Sequence, residues 1–128
     1  IRRTSYYELR ELAQSLYQCL ETTGALETIL TTQNPEFQRQ LLNQLATALL
    51  PPDTYYNITI EKVTIEEATG IPQNPSIILT ISNMPAEAKE ECEAATIRAM
   101  YTPITSEITT QQSLTTYIIY ITLYRVTE

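Results

Sequence analysis

Tyr117-Ile118-Ile119-Tyr120-Ile121-Thr122-Leu123-Tyr124-Arg125-Val126 decides how the rest of this chain is read. Side chains alternate across a strand, so Tyr117, Ile119, Ile121 and Leu123 point one way and Ile118, Tyr120, Thr122 and Tyr124 the other. β-Branched and aromatic residues at nearly every position favour the pleated conformation. Both faces are apolar or aromatic, which places the strand near the middle of a sheet. A helix layer would cover one side and something else, such as a partner, the other.

The same two-residue period appears upstream at Tyr56, Ile58 and Ile60, with Asn57, Thr59 and Glu61 opposite. The apolar phase then slips to Val63 and Ile65, which predicts either a bulge or twist near Glu61-Lys62 or one of the two sets facing outward. Gly70, Pro72 and Pro75 break the pattern. Ile77-Ile78-Leu79-Thr80-Ile81 follows as a short, well buried strand, closing a hairpin with a long tip. Asn83-Met84-Pro85 opens a short helix reaching about Glu93, and the run from Ala94 to Ile104 alternates as a further strand.

Before the strands the period is helical. Leu9, Leu12, Ala13, Leu16, Cys19, Leu20, Leu26, Ile29 and Leu30 fall at three-and-four spacing, the stripe of a long amphipathic helix. Gly24 either kinks it or ends it as a C′ glycine. Asn34-Pro35-Glu36 starts the next helix, with Asn as N-cap, Pro at N1 and an acid near the positive end. Its apolar face is Phe37, Leu41, Leu42, Leu45, Ala48 and Leu49, and Pro51-Pro52 stops it. The expected fold is α+β, two N-terminal helices packed on an antiparallel sheet of about four strands.

At 128 residues and 43% hydrophobic content the chain fits one domain, residues 1–128, with helices over about 5–50 and strands over about 54–126. No apolar run approaches the roughly 20 residues of a membrane helix. The start at Ile1 without Met predicts a trimmed chain whose natural start lies upstream. A formal net charge of −7 with eight scattered basic residues repels a phosphate backbone, so nucleic acid is not an expected partner.

Catalytic equipment is sparse. With no His, Ser or Cys lacks its usual base. No acid spacing selects a carboxylate pair for hydrolysis. Glu87, Glu90, Glu91 and Glu93 sit at spacings that spread carboxylates around a helix instead of converging on a metal, and read as a solvated face. Neither a catalytic residue, a cofactor nor a metal is expected.

Cys19 and Cys92 are too far apart for a CxxC pattern, which leaves a long-loop disulfide or two buried thiols. Compartment decides between them: the Cys19–Cys92 bond is the expectation for an exported domain, two thiols for an intracellular one. Asn57-Ile58-Thr59 is a glycosylation sequon on the outward side of its strand. Tyr55, Tyr56, Tyr117, Tyr120 and Tyr124 either pack as ordinary strand residues or form a contact surface, since Tyr supplies contact area with little entropy loss; Tyr117, Tyr120 and Tyr124 of the last strand are the candidate interface. The stripe Leu9, Leu12 and Leu16 would serve either the core or a subunit contact.

The order of segments adds a family. Leu16-Tyr17-Gln18-Cys19-Leu20-Glu21-Thr22-Thr23-Gly24-Ala25-Leu26, then Leu45-Ala46-Thr47-Ala48-Leu49-Leu50-Pro51-Pro52, Tyr55-Tyr56-Asn57-Ile58-Thr59-Ile60 and the terminal Tyr-rich strand together resemble archaeal membrane-anchored, pilin-like surface proteins. In that family a hydrophobic N-terminal helix continues into an external α+β head. The resemblance implies a non-enzymatic, extracellular domain working by protein contact or self-assembly, attached to the membrane only through the missing segment. The competing expectation is an intracellular interaction module, viral or archaeal, with both thiols reduced.

Overall fold

The computed structural model describes residues 2–66, 69–71, 74–85, 92–103 and 113–126. Three helices precede four strands: α1 (Arg2–Thr22), α2 (Ala25–Thr31), α3 (Pro35–Leu49), β1 (Thr54–Glu66), β2 (Ser76–Ser82), β3 (Cys92–Tyr101) and β4 (Ser113–Val126). The expected α+β class is present.

The long first helix is two helices. Gly24 adopts φ +77°, a left-handed conformation that side-chain-bearing residues resist. The Thr23 and Gly24 amides close α1 onto the Cys19 and Glu21 carbonyls at 3.1 and 3.3 Å. The Gly24 carbonyl in turn accepts from Thr28 to begin α2. At the next start, the Asn34 side chain accepts from the Glu36 and Phe37 amides at 3.0 and 3.4 Å, with Pro35 as first helical residue. Gln38 ties the two helices by donating to the Ile29 and Thr32 carbonyls, each at 2.7 Å.

The strands form one antiparallel sheet in the order β2-β1-β4-β3. β1 and β4 pair without a break from Thr54 opposite Arg125 to Glu66 opposite Ser113. The Tyr-rich last strand is therefore central, as its two-sided apolar pattern requires. A register shift does fall between Ile60 and Glu61 in the β1–β2 pairing, with the extra residue, Ile78, in β2; along β4 the phase of β1 does not slip, so the buried Val63 shares the parity of Asn57 and Thr59.

All three helices lie on one face. Leu9, Ala13, Leu16 and Leu20 of α1, Leu26 and Ile29 of α2, and Leu42 and Ala46 of α3 meet Tyr56, Ile58, Ile60, Ile81, Ala95, Ile119, Ile121 and Leu123 in a single core. The stripe Leu9, Leu12 and Leu16 belongs to this core: Leu9 and Leu16 are fully buried and Leu12 packs against them.

Two burial expectations are corrected. β2 is an exposed edge, with Ile77 and Ile78 at 65% and 45% accessibility and only Ile81 buried, because its outer side has no neighbouring strand among the described residues. Phe37 is 43% exposed and Ala48 is exposed; the buried face of α3 turns instead on Leu42 and Ala46. The helix expected over 83–93 lies mostly outside the described residues, and Cys92 and Glu93 belong to β3, which ends at Tyr101.

Candidate functional site

The register fixes which residues share the sheet face that no described helix covers. Across β2, β1, β4 and β3 its rows are Ser82, Asn57, Thr122 and Thr96, then Thr80, Thr59, Tyr120 and Arg98. Tyr55, Tyr124 and Ala94 flank them on one side, and Ile77, Glu61, Ile118 and Met100 on the other. Thr96 and Thr122 hydroxyls hydrogen-bond across the strands at 2.8 Å, and Thr102 and Thr116 repeat that link at 2.8 Å. The Thr96 and Thr122 hydroxyls thus bond along the surface, leaving their methyls and the tyrosine rings available for contact, whereas Thr116 is buried.

The three candidate tyrosines separate. Tyr120 and Tyr124 lie on this uncovered face, where Tyr55 stands opposite Tyr124. Tyr117 shares its parity with Ile119 and Ile121, faces the helices and packs against the core. A contact surface therefore takes Tyr55, Tyr120 and Tyr124. Sequence reasoning had not joined to it the threonines of four different strands, nor Arg98 and Met100; their alternation was visible, but their alignment depends on strand order.

Asn57, the sequon residue, is in the middle of this face, half-buried between Ser82 and Thr122. Its carboxamide oxygen is buried without a hydrogen-bond partner among the described residues.

The expected Cys19–Cys92 bond is not formed: Cys19 is a free thiol. The Tyr17 hydroxyl donates to the Met100 carbonyl at 3.5 Å, and Arg125, which pairs with Glu93, reaches Glu8 at 2.8 Å. α1 therefore runs in the same direction as β3, with Cys19 beyond Tyr17 at the Met100 end and the Cys92 backbone at the other. Eight strand residues at about 3.3 Å each separate Met100 from Cys92 by roughly 26 Å, whereas a disulfide needs Cα atoms within about 7 Å.

Arg125 anchors one corner of the interface, with Glu8 of α1 at 2.8 Å and Asp53 at 3.8 Å. Thr54, itself buried, donates to the Asp53 carboxylate at 3.3 Å. These charges fasten the start of α1 and the entry to β1 onto the end of β4.

Two of the clefts around the helix layer hold polar side chains. One of about 350 Å³ lies between α3 and β1, lined by Ala46, Leu50, Pro51, Tyr56 and Asn83. The Tyr56 hydroxyl donates to Asn43 at 3.1 Å, and burial raises its pKa despite the opposing pull of Arg39. The other is a groove of about 690 Å³ between α1 and β3, lined by Arg10, Gln14, Tyr17, Gln18, Glu21 and Arg98. Burial, reinforced by the Glu21 carboxylate, raises the Tyr17 pKa, so this hydroxyl holds its proton and serves as a donor. Among the described residues no group of three or more His, Cys, Asp or Glu side chains is placed to hold a metal. Glu87, Glu90 and Glu91 lie outside the described residues, and Glu93 is a strand residue opposite Arg125.

These features define an α+β domain whose sheet has one face covered by the three helices and one that no described helix covers, although Val63 and Thr116 on that face are buried. Comparison with protein-family models, curated proteins and solved structures finds no match for this chain. Among the described residues no helix is long and apolar enough to cross a membrane.

Proposed function

We propose that this chain is the non-enzymatic external head of a membrane-anchored, pilin-like surface protein, acting in assembly or adhesion through protein contact. The observation that supports this most is the uncovered face built from Tyr55, Tyr120, Tyr124 and four strands' threonines: a broad surface of aromatic rings and methyls with its polar groups partly satisfied within the sheet. Tyrosine-rich surfaces of this kind suit recognition, because each ring brings large area with few rotatable bonds. In this reading a glycan on Asn57 and a partner on the face exclude each other, since the sequon sits at its centre.

The test is location and contact together. In the source cell, the gene product should fractionate with the envelope and be cleaved by protease added to intact cells. Replacing Tyr120 and Tyr124 together by Ser should release it from the complex it sediments with. A product protected from external protease would overturn the surface assignment.

The free Cys19 thiol, and its distance from Cys92, favour a second reading: an intracellular interaction module using the same face. A cell-impermeant thiol reagent discriminates. Labelling of Cys19 in intact cells supports the external head, whereas labelling only after lysis supports the module.

A further inference from the structure

The two edges of the sheet are built differently. β2 is short, shifted in register beside Ile60, and flanked by Pro75 and Pro85, three devices that discourage another strand from adding. β3 runs ten residues, Cys92–Tyr101, in unbroken register with β4 and contains no proline. Its backbone orientation can be read from two bonds. The Tyr101 carbonyl accepts from Thr116 of β4, while the Met100 carbonyl turns away to Tyr17 of α1. Alternation then points the amides and carbonyls of Ala94, Thr96 and Arg98 outward. Among the described residues no strand pairs with this edge.

We propose that the β3 edge pairs antiparallel with the β3 edge of a second copy of this chain, joining two sheets into one of eight strands about a twofold axis at Ile97. This deepens the assembly reading above by naming the partner and the surface. Three constraints select the register. Helix-facing residues must oppose helix-facing residues for the two helix layers to share a side. Outward-pointing backbone groups must meet outward-pointing ones. Like charges must not be opposed.

With Ile97 opposite the partner's Ile97, Ala95 meets the partner's Ala99 and Thr96 the partner's Arg98. Ala94 then takes the partner's Met100, and Glu93 the partner's Tyr101. Every residue from Glu93 to Tyr101 is paired. Moving the axis to Arg98 would oppose two guanidinium groups; moving it to Thr96 pairs as many residues, Cys92 to Met100, but leaves Tyr101 outside the overlap.

The helices permit this approach. α1 contacts both β3 and β4, so its axis lies between them. Two strand spacings of about 4.8 Å therefore separate the two α1 helices, within the roughly 8–10 Å of packed helices. The groove that holds Arg10, Gln14, Tyr17, Gln18 and Glu21 becomes the meeting place of the two helices. Because they run antiparallel, Arg10 approaches the partner's Glu21. Those two symmetric ion pairs oppose the repulsion between chains of formal net charge −7.

The experiment uses the full chain. Sedimentation velocity across a concentration series should show the mass doubling. In a background carrying Cys19→Ser and Cys92→Ser, Ile97→Cys places two thiols on the axis. Antiparallel non-hydrogen-bonded Cα atoms lie about 4.5 Å apart, close enough for a disulfide. Oxidised glutathione, reduced as the bond forms, should convert most Ile97→Cys protein to a linked dimer, while Thr80→Cys on the β2 edge stays monomeric. Thr96→Pro, with its circular dichroism spectrum unchanged, should abolish the mass doubling.

A chain that stays monomeric at all concentrations and gives no Ile97→Cys link overturns the pairing, as does equal linking at Thr80→Cys. A monomer that instead takes up an unrelated extended peptide along β3 overturns the second copy as occupant. A linked dimer found only inside the cell supports the pairing and overturns the surface reading; a surface-exposed monomer does the reverse.

Discussion

The two faces of this sheet use the same strands and opposite chemistry. Toward the helices β1 and β4 present Tyr56, Ile58, Ile60, Ile119, Ile121 and Leu123, all buried; away from them they present Tyr55, Asn57, Thr59, Tyr120, Thr122 and Tyr124, all partly accessible. Both sets have high strand propensity, so propensity alone does not tell them apart. Burial does. The aliphatic set gains from removal from water and tolerates no loss of volume, whereas the Thr and Tyr set keeps its hydroxyls wet or bonded along the surface.

The largest test of that contrast is Ile121→Ala. It empties a fully buried site beside Ile58 and Ile97 and should cost about 2–5 kcal/mol, read as a lower urea midpoint at constant m. On the other face Thr122→Ala, one residue away, should cost far less. Equal losses would mean that something covers both faces.

Next comes the helix layer that makes the covered face. Gly24→Ala has open space around it, so its effect reports the left-handed backbone alone. It should destabilise by about 1–2 kcal/mol. Asn34→Ala removes the acceptor of the Glu36 and Phe37 amides and should cost about 1 kcal/mol.

Alkaline titration probes the helix side differently. Tyr17, Tyr56 and Tyr101 all have pKa values raised from 10.0 chiefly by burial, with Glu21 adding for Tyr17 and Glu27 and Glu21 for Tyr101. The folded chain therefore holds these protons more tightly than the unfolded chain. The contribution of these three groups to stability should be level below pH 10 and be lost as pH rises from the unfolded value of 10.0 through the raised folded values. Tyr56→Phe should flatten part of that fall.

The smallest stability effect belongs to the uncovered face. Tyr120→Ser with Tyr124→Ser should change the unfolding free energy only slightly, on the order of 0.5 kcal/mol per site, while removing protein contact. A large loss of stability would show those rings to be structural.

Periodicity carried much of the fold because it reports burial directly. The central place of the last strand, the N-cap at Asn34 and the register shift near Glu61 were all legible in local sequence. Phe37 and Ile77 were misplaced for one reason: an apolar residue states what it prefers, not whether a neighbour exists to cover it. Gly24 marked a discontinuity, but whether a glycine bends or ends a helix depends on its φ. The face that no described helix covers was half legible. Tyr120 and Tyr124 stood out, whereas Thr59, Thr80 and Thr96 became one surface only through the order β2-β1-β4-β3. The Cys19–Cys92 expectation failed because sequence separation says nothing about helix direction along a strand.

The central position of β4 also has a consequence for biogenesis. β4 joins β1 to β3, so the two outer parts of the sheet have no direct bond to each other until residues 113–126 arrive. A nascent chain leaving the ribosome can form its helices early but must keep Ile58 and Ile60 unsatisfied until synthesis of this last strand. Such late, long-range closure slows folding and prolongs the open state.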